Sequence, residues 1–275
     1  MTRAYGVAFV VLLVVAGAAL WWRHQRPVPP IVAMPAPGAA FSPTPPPAAP
    51  PPPPAIKHPL PRPEPPENLP PVDRADAFIE NEVVHLLGRK DVREFIEVHG
   101  LARRFVATVN NLAGDDASAS LWPVKPTPGH FQAQVRGAET VIGPANAARY
   151  TPFVRFAQTI DARRAVGLYR RLYPILQAAY EDLGFPGKYL NDRVVEVIDN
   201  LLATPAISEP IVVRRFAADG GGPPSALYIY ADPSLEARSA GQKILLRVGH
   251  ENAAVLTAKL GEIRAELVTR SAAAH

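Results

Sequence analysis

The sequence predicts a mainly α protein: a multi-helix soluble domain with one small β-hairpin, preceded by a single transmembrane helix. Three observations carry that reading. Ala4–Trp22 contains no charged residue. Proline then crowds one stretch, with 21 of the chain's 33 prolines between Pro27 and Pro71. From Val72 onward, apolar residues recur at helical spacing between glycine and proline stops. The chain therefore divides into an anchor over 1–26, a proline-rich disordered tether over 27–71, a helical globular domain over 72–270 and a disordered tail over 271–275. The domain is long enough to bury one core without disulfides or metals.

The anchor comes first. As a helix, nineteen residues at ~1.5 Å each span roughly 28 Å, close to the ~30 Å hydrocarbon core of a bilayer. Trp21, Trp22 and Arg23 read as its interfacial stop, because indole rings prefer the headgroup boundary and arginine snorkels into it. The rival reading is a cleaved signal peptide, with Arg3 as the basic start and Ala16-Gly17-Ala18 as the cleavage site. Paired tryptophans directly after a cleavage site are awkward, and at an anchor's edge they are expected. Basic residues flank both ends (Arg3 against Arg23 and Arg26), so the positive-inside rule is nearly balanced. The tether suits a domain that reaches across a gap. The expected location is the inner membrane, single-pass, with the soluble domain periplasmic.

Proline fixes φ and cannot donate to a backbone ladder. The tether, centred on Pro50–Pro54, is therefore expected to be a semi-rigid polyproline spacer. Its 45 residues reach on the order of 140 Å when extended. The alternative use is as a ligand for a proline-recognising partner.

Within the domain, Asp73 or Asp76 is expected to cap a helix to Leu87, with Phe78, Ile79, Val83, Leu86 and Leu87 as its stripe and Gly88 as its end. A helical turn over Val92–Val98 stops at Gly100. Leu101, Phe105, Val109 and Leu112 share one face of a helix from Leu101 to Ala113. Asp115–Gly129 reads as a loop that packs Trp122 on the core, and His130–Val135 as a short strand. Pro144 opens a helical region that continues through Phe153, Phe156 and Ile160. Asp161 caps the longest predicted helix, whose stripe is Val166, Tyr169, Tyr173, Leu176, Tyr180 and Leu183. Pro174 predicts a kink or break in it. Asn191 or Asp192 is expected to cap a helix to Ala203. Ile211–Phe216 and Ala226–Tyr230 form the expected hairpin. A helix from Pro233 to Val248, capped by Asp232, and a last one from Glu251 to Val268 complete six or seven helices.

Charge and motifs exclude more than they propose. The net charge is +4, but residues 1–71 hold five basic against two acidic residues, leaving the domain near +1. That is too little to mark a nucleic-acid face, and the arginine doublets at 103–104, 163–164, 170–171 and 214–215 read as solvated helix faces. There is no cysteine, so thiol chemistry and cysteine-based zinc sites are out. Gly220–Gly222 runs into two prolines that cannot cradle a phosphate. His85, His99, His130 and His250 lack ligand spacing. Asp115–Asp116 lacks a visible second carboxylate. Ser239 and Lys243 share a helix face and are the nearest approach to a nucleophile and base. No cofactor or metal is called for.

Several segments taken together carry a resemblance. They are Phe105-Val106-Ala107-Thr108-Val109-Asn110-Asn111-Leu112, Arg149-Tyr150, Leu168-Tyr169-Arg170-Arg171-Leu172-Tyr173-Pro174, Asn200-Leu201-Leu202-Ala203-Thr204-Pro205 and Ser239-Ala240-Gly241-Gln242-Lys243-Ile244-Leu245-Leu246-Arg247-Val248-Gly249. In this order they resemble the bacterial domain-of-unknown-function family numbered 3014 over about Asp73 to Leu267. The resemblance implies a single-anchor envelope protein with a proline-rich lead, and no activity, cofactor or catalytic residue.

One polar and aromatic set lies beside the apolar stripes: Asn110, Arg149, Tyr150, Tyr169, Arg170, Tyr173, Asp199, Gln242 and Arg247. These residues either join helices through buried hydrogen bonds or line a groove for a ligand or partner, where arginine pairs an acidic group and tyrosine supplies a rigid face. The functional expectation is an anchored interaction or scaffold module. It meets the membrane through Ala4–Trp22 and binds another envelope protein or polymer, not nucleic acid. An enzyme acting on envelope polymers and a purely structural spacer are the alternatives.

Overall fold

The computed structural model describes residues 55–60, 69–215 and 228–272. The expected anchor at Ala4–Trp22 and the glycine–proline stretch at 219–224 lie outside these residues. Among the described residues, no helix is long and apolar enough to cross a membrane. The helices are α1 (Asp76–Leu87), α2 (Arg89–Phe95), α3 (Leu101–Leu112), α4 (Pro144–Thr159), α5 (Ala162–Asp182), α6 (Leu190–Leu202), α7 (Pro233–Glu236), α8 (Ala240–Arg247) and α9 (His250–Ala272). The strands are β1 (Ala133–Arg136), β2 (Glu139–Ile142), β3 (Val213–Arg215) and β4 (Tyr228–Tyr230). The domain is mainly α, as expected, but with nine described helices and two antiparallel hairpins rather than one.

The core is built around α5. Its buried residues Ala165, Val166, Leu172, Leu176 and Ala179 meet α1, α3, α6 and α9. Leu256, Leu260, Ile263 and Leu267 of α9 repeat at three- and four-residue spacing and are all buried, the signature of a helix with one face in the core. α3 is held more deeply, with Leu101, Phe105, Val109 and Leu112 fully covered. Trp122 packs into this core as expected. α8 crosses α3 and α6 at Gly241, where a Cβ would stand 2.5 Å from Leu201 Cδ2 and 2.9 Å from the Leu112 carbonyl oxygen. Only glycine permits that approach.

Several helix ends follow the sequence and others do not. Asp161 caps α5 by accepting the Arg164 N–H at 2.9 Å, and Asp232 caps α7 by accepting the Ser234 N–H at 2.7 Å. Neither Asp73 nor Asp76 caps α1, whose N-cap is Ala75. Asp76 instead accepts the Gly100 N–H at 2.9 Å, tying the start of α1 to the start of α3, while Asp73 pairs with Arg103. α5 runs through Pro174 without a break. Proline removes one N–H bond to a carbonyl, but Leu172, Ile175 and Leu176 on either side are buried and hold the helix to the core. α9, at 23 residues, exceeds α5 at 21. The helix expected from Pro233 to Val248 is two helices. Ser239 restarts the chain by accepting the Gln242 N–H, donating to Asn200 Oδ1 at 2.7 Å, and seating Ala240 N–H on the Gly114 carbonyl at 2.7 Å.

The short strand expected over His130–Val135 overlaps β1, and its unexpected partner is β2, the hairpin pairing Ala133 with Ile142 and Arg136 with Glu139. Its two-residue turn is Gly137-Ala138, with Gly137 at φ +64°. A glycine at the first central position is what a tight hairpin turn of this kind needs. The expected hairpin pairs Val213 with Tyr230. A bridge between Val141 and Val212 joins the two. Beneath them Val213, Tyr230, Leu235 and Leu246 form a second, smaller core.

Buried phenols are a feature of both cores. Burial raises Tyr150, Tyr169, Tyr173, Tyr180 and Tyr230 above the ordinary tyrosine pKa of 10.0. The folded state therefore keeps these groups neutral at a pH where the unfolded chain would release their protons. The stabilisation is complete below about pH 10 and is lost as the pH climbs above it. The urea midpoint is expected to show no tyrosine-linked change between pH 7 and 9 and to fall beyond about pH 10. The tyrosinate absorbance of these five phenols should appear together with loss of helical circular dichroism. Full tyrosine titration near pH 10 with helicity intact would contradict the burial described here.

Candidate functional site

The site begins with the first turn of α6. A helix start leaves four N–H groups without intrahelical partners, and no side chain caps α6 from within its own turn. The partners come from α5. Gln177 Oε1 accepts the Leu190 N–H at 2.9 Å, and the Tyr173 hydroxyl accepts the Asn191 N–H at 3.3 Å. Tyr173 in turn donates to Gln177 Oε1 at 2.9 Å, while Gln177 Nε2 donates to the Lys188 carbonyl and to Glu181 Oε1 at 2.8 Å each. This corrects the expectation that Asn191 or Asp192 caps α6. Both lie inside the helix, and their side chains point elsewhere.

They hold residues 55–60, a strap from the stretch read as tether. Asp192 accepts two successive main-chain N–H groups, from Lys57 at 3.0 Å and His58 at 2.7 Å. Asn191 Nδ2 donates to the His58 carbonyl at 2.8 Å, and the Tyr189 hydroxyl accepts the Leu60 N–H at 2.9 Å. Leu60 packs against the main core. The strap bends at Lys57 and His58, where the carboxylate gathers both donors.

Beside the strap, a groove of about 990 Å³ runs along α5 and α6. Its walls are Gln177, Tyr180 and Glu181 of α5, the Phe185–Tyr189 turn, Asp192 to Asp199 of α6, and Asn110 of α3, with Ala55–His58 along one rim. Tyr180 stacks on Phe185 at 4.8 Å, and Lys188 Nζ lies 5.3 Å from the Phe185 ring. A run of rings ties this surface to the core: Phe105 to Tyr169 at 6.2 Å, Tyr169 to Tyr173 at 5.6 Å, Tyr173 to Tyr189 at 5.5 Å.

The nine polar and aromatic residues singled out from the sequence fall in separate places. Tyr169 and Tyr173 belong to the ring run beneath the strap, with the partly buried Arg170 next to Tyr169 on α5. Asn110 and Asp199 line the groove. The Asn110 carbonyl accepts Arg193 Nη2 at 2.7 Å, and Asp199 pairs with Arg264. Gln242 is buried and cross-links α8 to α6 through the Asn200 carbonyl at 2.8 Å.

Arg149, Tyr150 and Arg247 sit at the hairpin end. Arg149 donates to the Pro128 and Gly129 carbonyls and to Asn146 Oδ1, and Arg247 donates to the Tyr228 carbonyl at 3.0 Å. The Tyr150 phenol is raised by burial, against the pull of the Arg149 and Arg247 charges. This arrangement fastens loops to helices. Ser239 and Lys243 do not face one another: Ser239 caps α8 and Lys243 meets Glu236 at 3.4 Å. Among the described residues no cluster of histidine and acidic side chains could hold a metal ion.

A family model described as "Protein of unknown function (DUF3014)" matches residues 101–264, more than half of the chain. The chain belongs to the DUF3014 family. No curated protein and no solved structure matches it. The matched DUF3014 residues include all of the groove wall that α3, α5 and α6 provide, while the strap lies upstream of them.

Sequence reasoning missed Gln177, Tyr189, Asn191 and Asp192 as site residues in this DUF3014 domain. One signal was available. Ala55-Ile56-Lys57-His58 is a proline-free island between Pro54 and Pro59, with an apolar and a basic residue that a bare spacer does not need.

Gln177→Met keeps the volume and removes the acceptor of the Leu190 N–H. It is expected to lower stability by about 1–3 kcal/mol, the cost of leaving a buried donor unpaired. Thermal unfolding of the full chain measures this. An unchanged midpoint would show that α5 does not cap α6.

Proposed function

We propose that this DUF3014 chain is a single-pass inner-membrane protein whose helical domain, presented in the periplasm on a proline-rich tether, is an interaction or scaffold module for another envelope component. The observation that carries the interaction reading is the grip of Asp192, Asn191 and Tyr189 on a main chain at the groove rim. Side chains arranged to bond backbone N–H and C=O groups suit a chain-like partner, because every peptide carries those groups. The groove is open and mixed in character, with stacked rings next to carboxylates and cations. That is the surface of a docking site rather than of a closed reaction chamber.

The anchor reading rests on the uncharged run Ala4–Trp22 and its tryptophan–arginine stop. The periplasmic placement is supported by the tether, whose residues 27–54, ahead of the strap, reach on the order of 90 Å when extended and suit a domain that works away from the membrane.

A photoreactive amino acid in place of Glu196, on the groove wall, tests this in cells expressing the full chain. The expected result is a covalent adduct with another envelope protein or polymer, recovered from the membrane fraction. Adducts with this chain or with lipid alone would contradict the interaction reading.

A further inference from the structure

We propose that the α6 groove recognises a short segment carrying a basic residue, then any residue, then proline, then an apolar residue. The chain's own Lys57-His58-Pro59-Leu60 is the resident competitor for that place. The inference rests on the reading of the domain as an interaction module, and it names the partner's chemistry and how access to the site is controlled.

The main chain supplies the first argument. The N–H groups of Lys57, His58 and Leu60 are all taken up by α6 and its preceding turn. The intervening residue is Pro59, which has no N–H to place. A proline there brings no N–H, so this register asks for no further acceptor. The His58 carbonyl is claimed by Asn191, so direction as well as register is set. Leu60 supplies the apolar contact by packing against the core.

Charge supplies the second argument. The domain's own residues at the groove include four carboxylates, Glu181, Asp192, Glu196 and Asp199, against three cations, Lys188 and Arg193 on the wall and Arg264 paired with Asp199. The strap brings Lys57 and His58 to that surface. A partner with a basic residue at the same place matches the excess negative charge, and an acidic one is disfavoured.

Incomplete cover is the third. The strap occupies one rim and leaves about 990 Å³ of groove beside it. Ile56 remains 54% exposed, so the strap does not seat its own apolar residue there. A partner segment that continues past the strap's footprint gains contact that the strap lacks. The strap is joined to the domain through residues 61–68, and a short linker of this kind gives an effective concentration in the millimolar range. If the strap segment itself binds with tens-of-micromolar affinity, an intramolecular occupant at that concentration weakens any competing partner by about tenfold or more, so the site opens only to a partner that outcompetes it.

The test uses the full chain in detergent micelles and a fluorescent hexapeptide of the strap's own sequence, Ala-Ile-Lys-His-Pro-Leu, followed by anisotropy. The intact chain is compared with one whose residues 55–60 are replaced by glycine and serine. The replaced chain is expected to bind the probe about tenfold tighter or more. Asp192→Asn in that background should lose most of the gain, as should a probe with glutamate in place of lysine.

If circular dichroism shows the replaced chain unfolded, Leu60→Ser takes its place, because it loosens the strap's packing and keeps the chain length. Equal affinity in the intact and opened chains, or binding indifferent to Asp192→Asn, would overturn the proposal. So would concentration-dependent dimerisation without probe binding, which would assign the groove to strap exchange between copies. Failure of the probe alongside a photo-adduct at position 196 would sink this inference and leave the interaction reading standing. Failure of both would remove both.

Discussion

The first turn of α6 is capped by a neighbouring helix, and the surface chemistry of the domain follows from that. A helix start normally spends a side chain of its own on its orphan N–H groups. Here α5 lends Gln177 and Tyr173 for the purpose. Asn191, fully buried, and Asp192, both of a type that ordinarily caps, are released to bond the strap. The arrangement works only because α5 is fixed, and α5 is fixed because its apolar residues are shared among α1, α3, α6 and α9. Core burial, helix capping and strap binding are thus three links of one chain of dependence.

The ring run from Phe105 through Tyr169 and Tyr173 to Tyr189 carries that dependence through space. Its inner end is fully buried and its outer end offers a hydroxyl to the Leu60 N–H. Rings suit this role because they fill large volumes with few rotatable bonds. The Tyr169 hydroxyl is buried and has no hydrogen-bond partner among the described residues. That placement costs roughly 1–3 kcal/mol, and the apolar area of the same ring offsets it. At the opposite end, Arg149 and the buried Asn146 fasten the loop before the first hairpin to α4, Asn146 links α4 to α8, and Arg247 ties strand β4 of the second hairpin to α8. The small sheet is anchored there, away from the groove.

How far the sequence could be read depended on where each signal was local. Helix positions followed from apolar spacing and glycine stops, as in α3 and α9. Asp161 and Asp232 followed from their place just before a periodic run. Asp76, Asn191 and Asp192 looked the same on paper but bond residues 24, 133 and 134–135 positions away, and no local pattern records such partners. Of the β1–β2 hairpin only the first strand was legible, over His130–Val135, although Thr140-Val141-Ile142 is a β-branched run after a glycine turn. Its strands are short and mostly exposed, so alternation was weak. Of the polar set, Tyr173, Asn110 and Asp199 lie at or beside the groove, and Arg149, Gln242 and Arg247 bind structural carbonyls. Both uses place polar atoms beside an apolar stripe, so spacing alone does not separate them. Proline content concealed the strap: Ala55-Ile56-Lys57-His58 is one of several short proline-free runs within 27–71, beside Ile31–Met34 and Gly38–Ser42, and composition alone does not tell which of them docks.

The central claim is that the domain holds the strap by its main chain, through the Asp192 carboxylate. Amide hydrogen exchange of the intact chain addresses it directly, residue by residue. The account predicts slowed exchange at Lys57, His58 and Leu60, and in Asp192→Asn a selective return of Lys57 and His58 toward unprotected rates while α5 stays protected. Exchange at unprotected rates throughout 57–60 in the intact chain would contradict it.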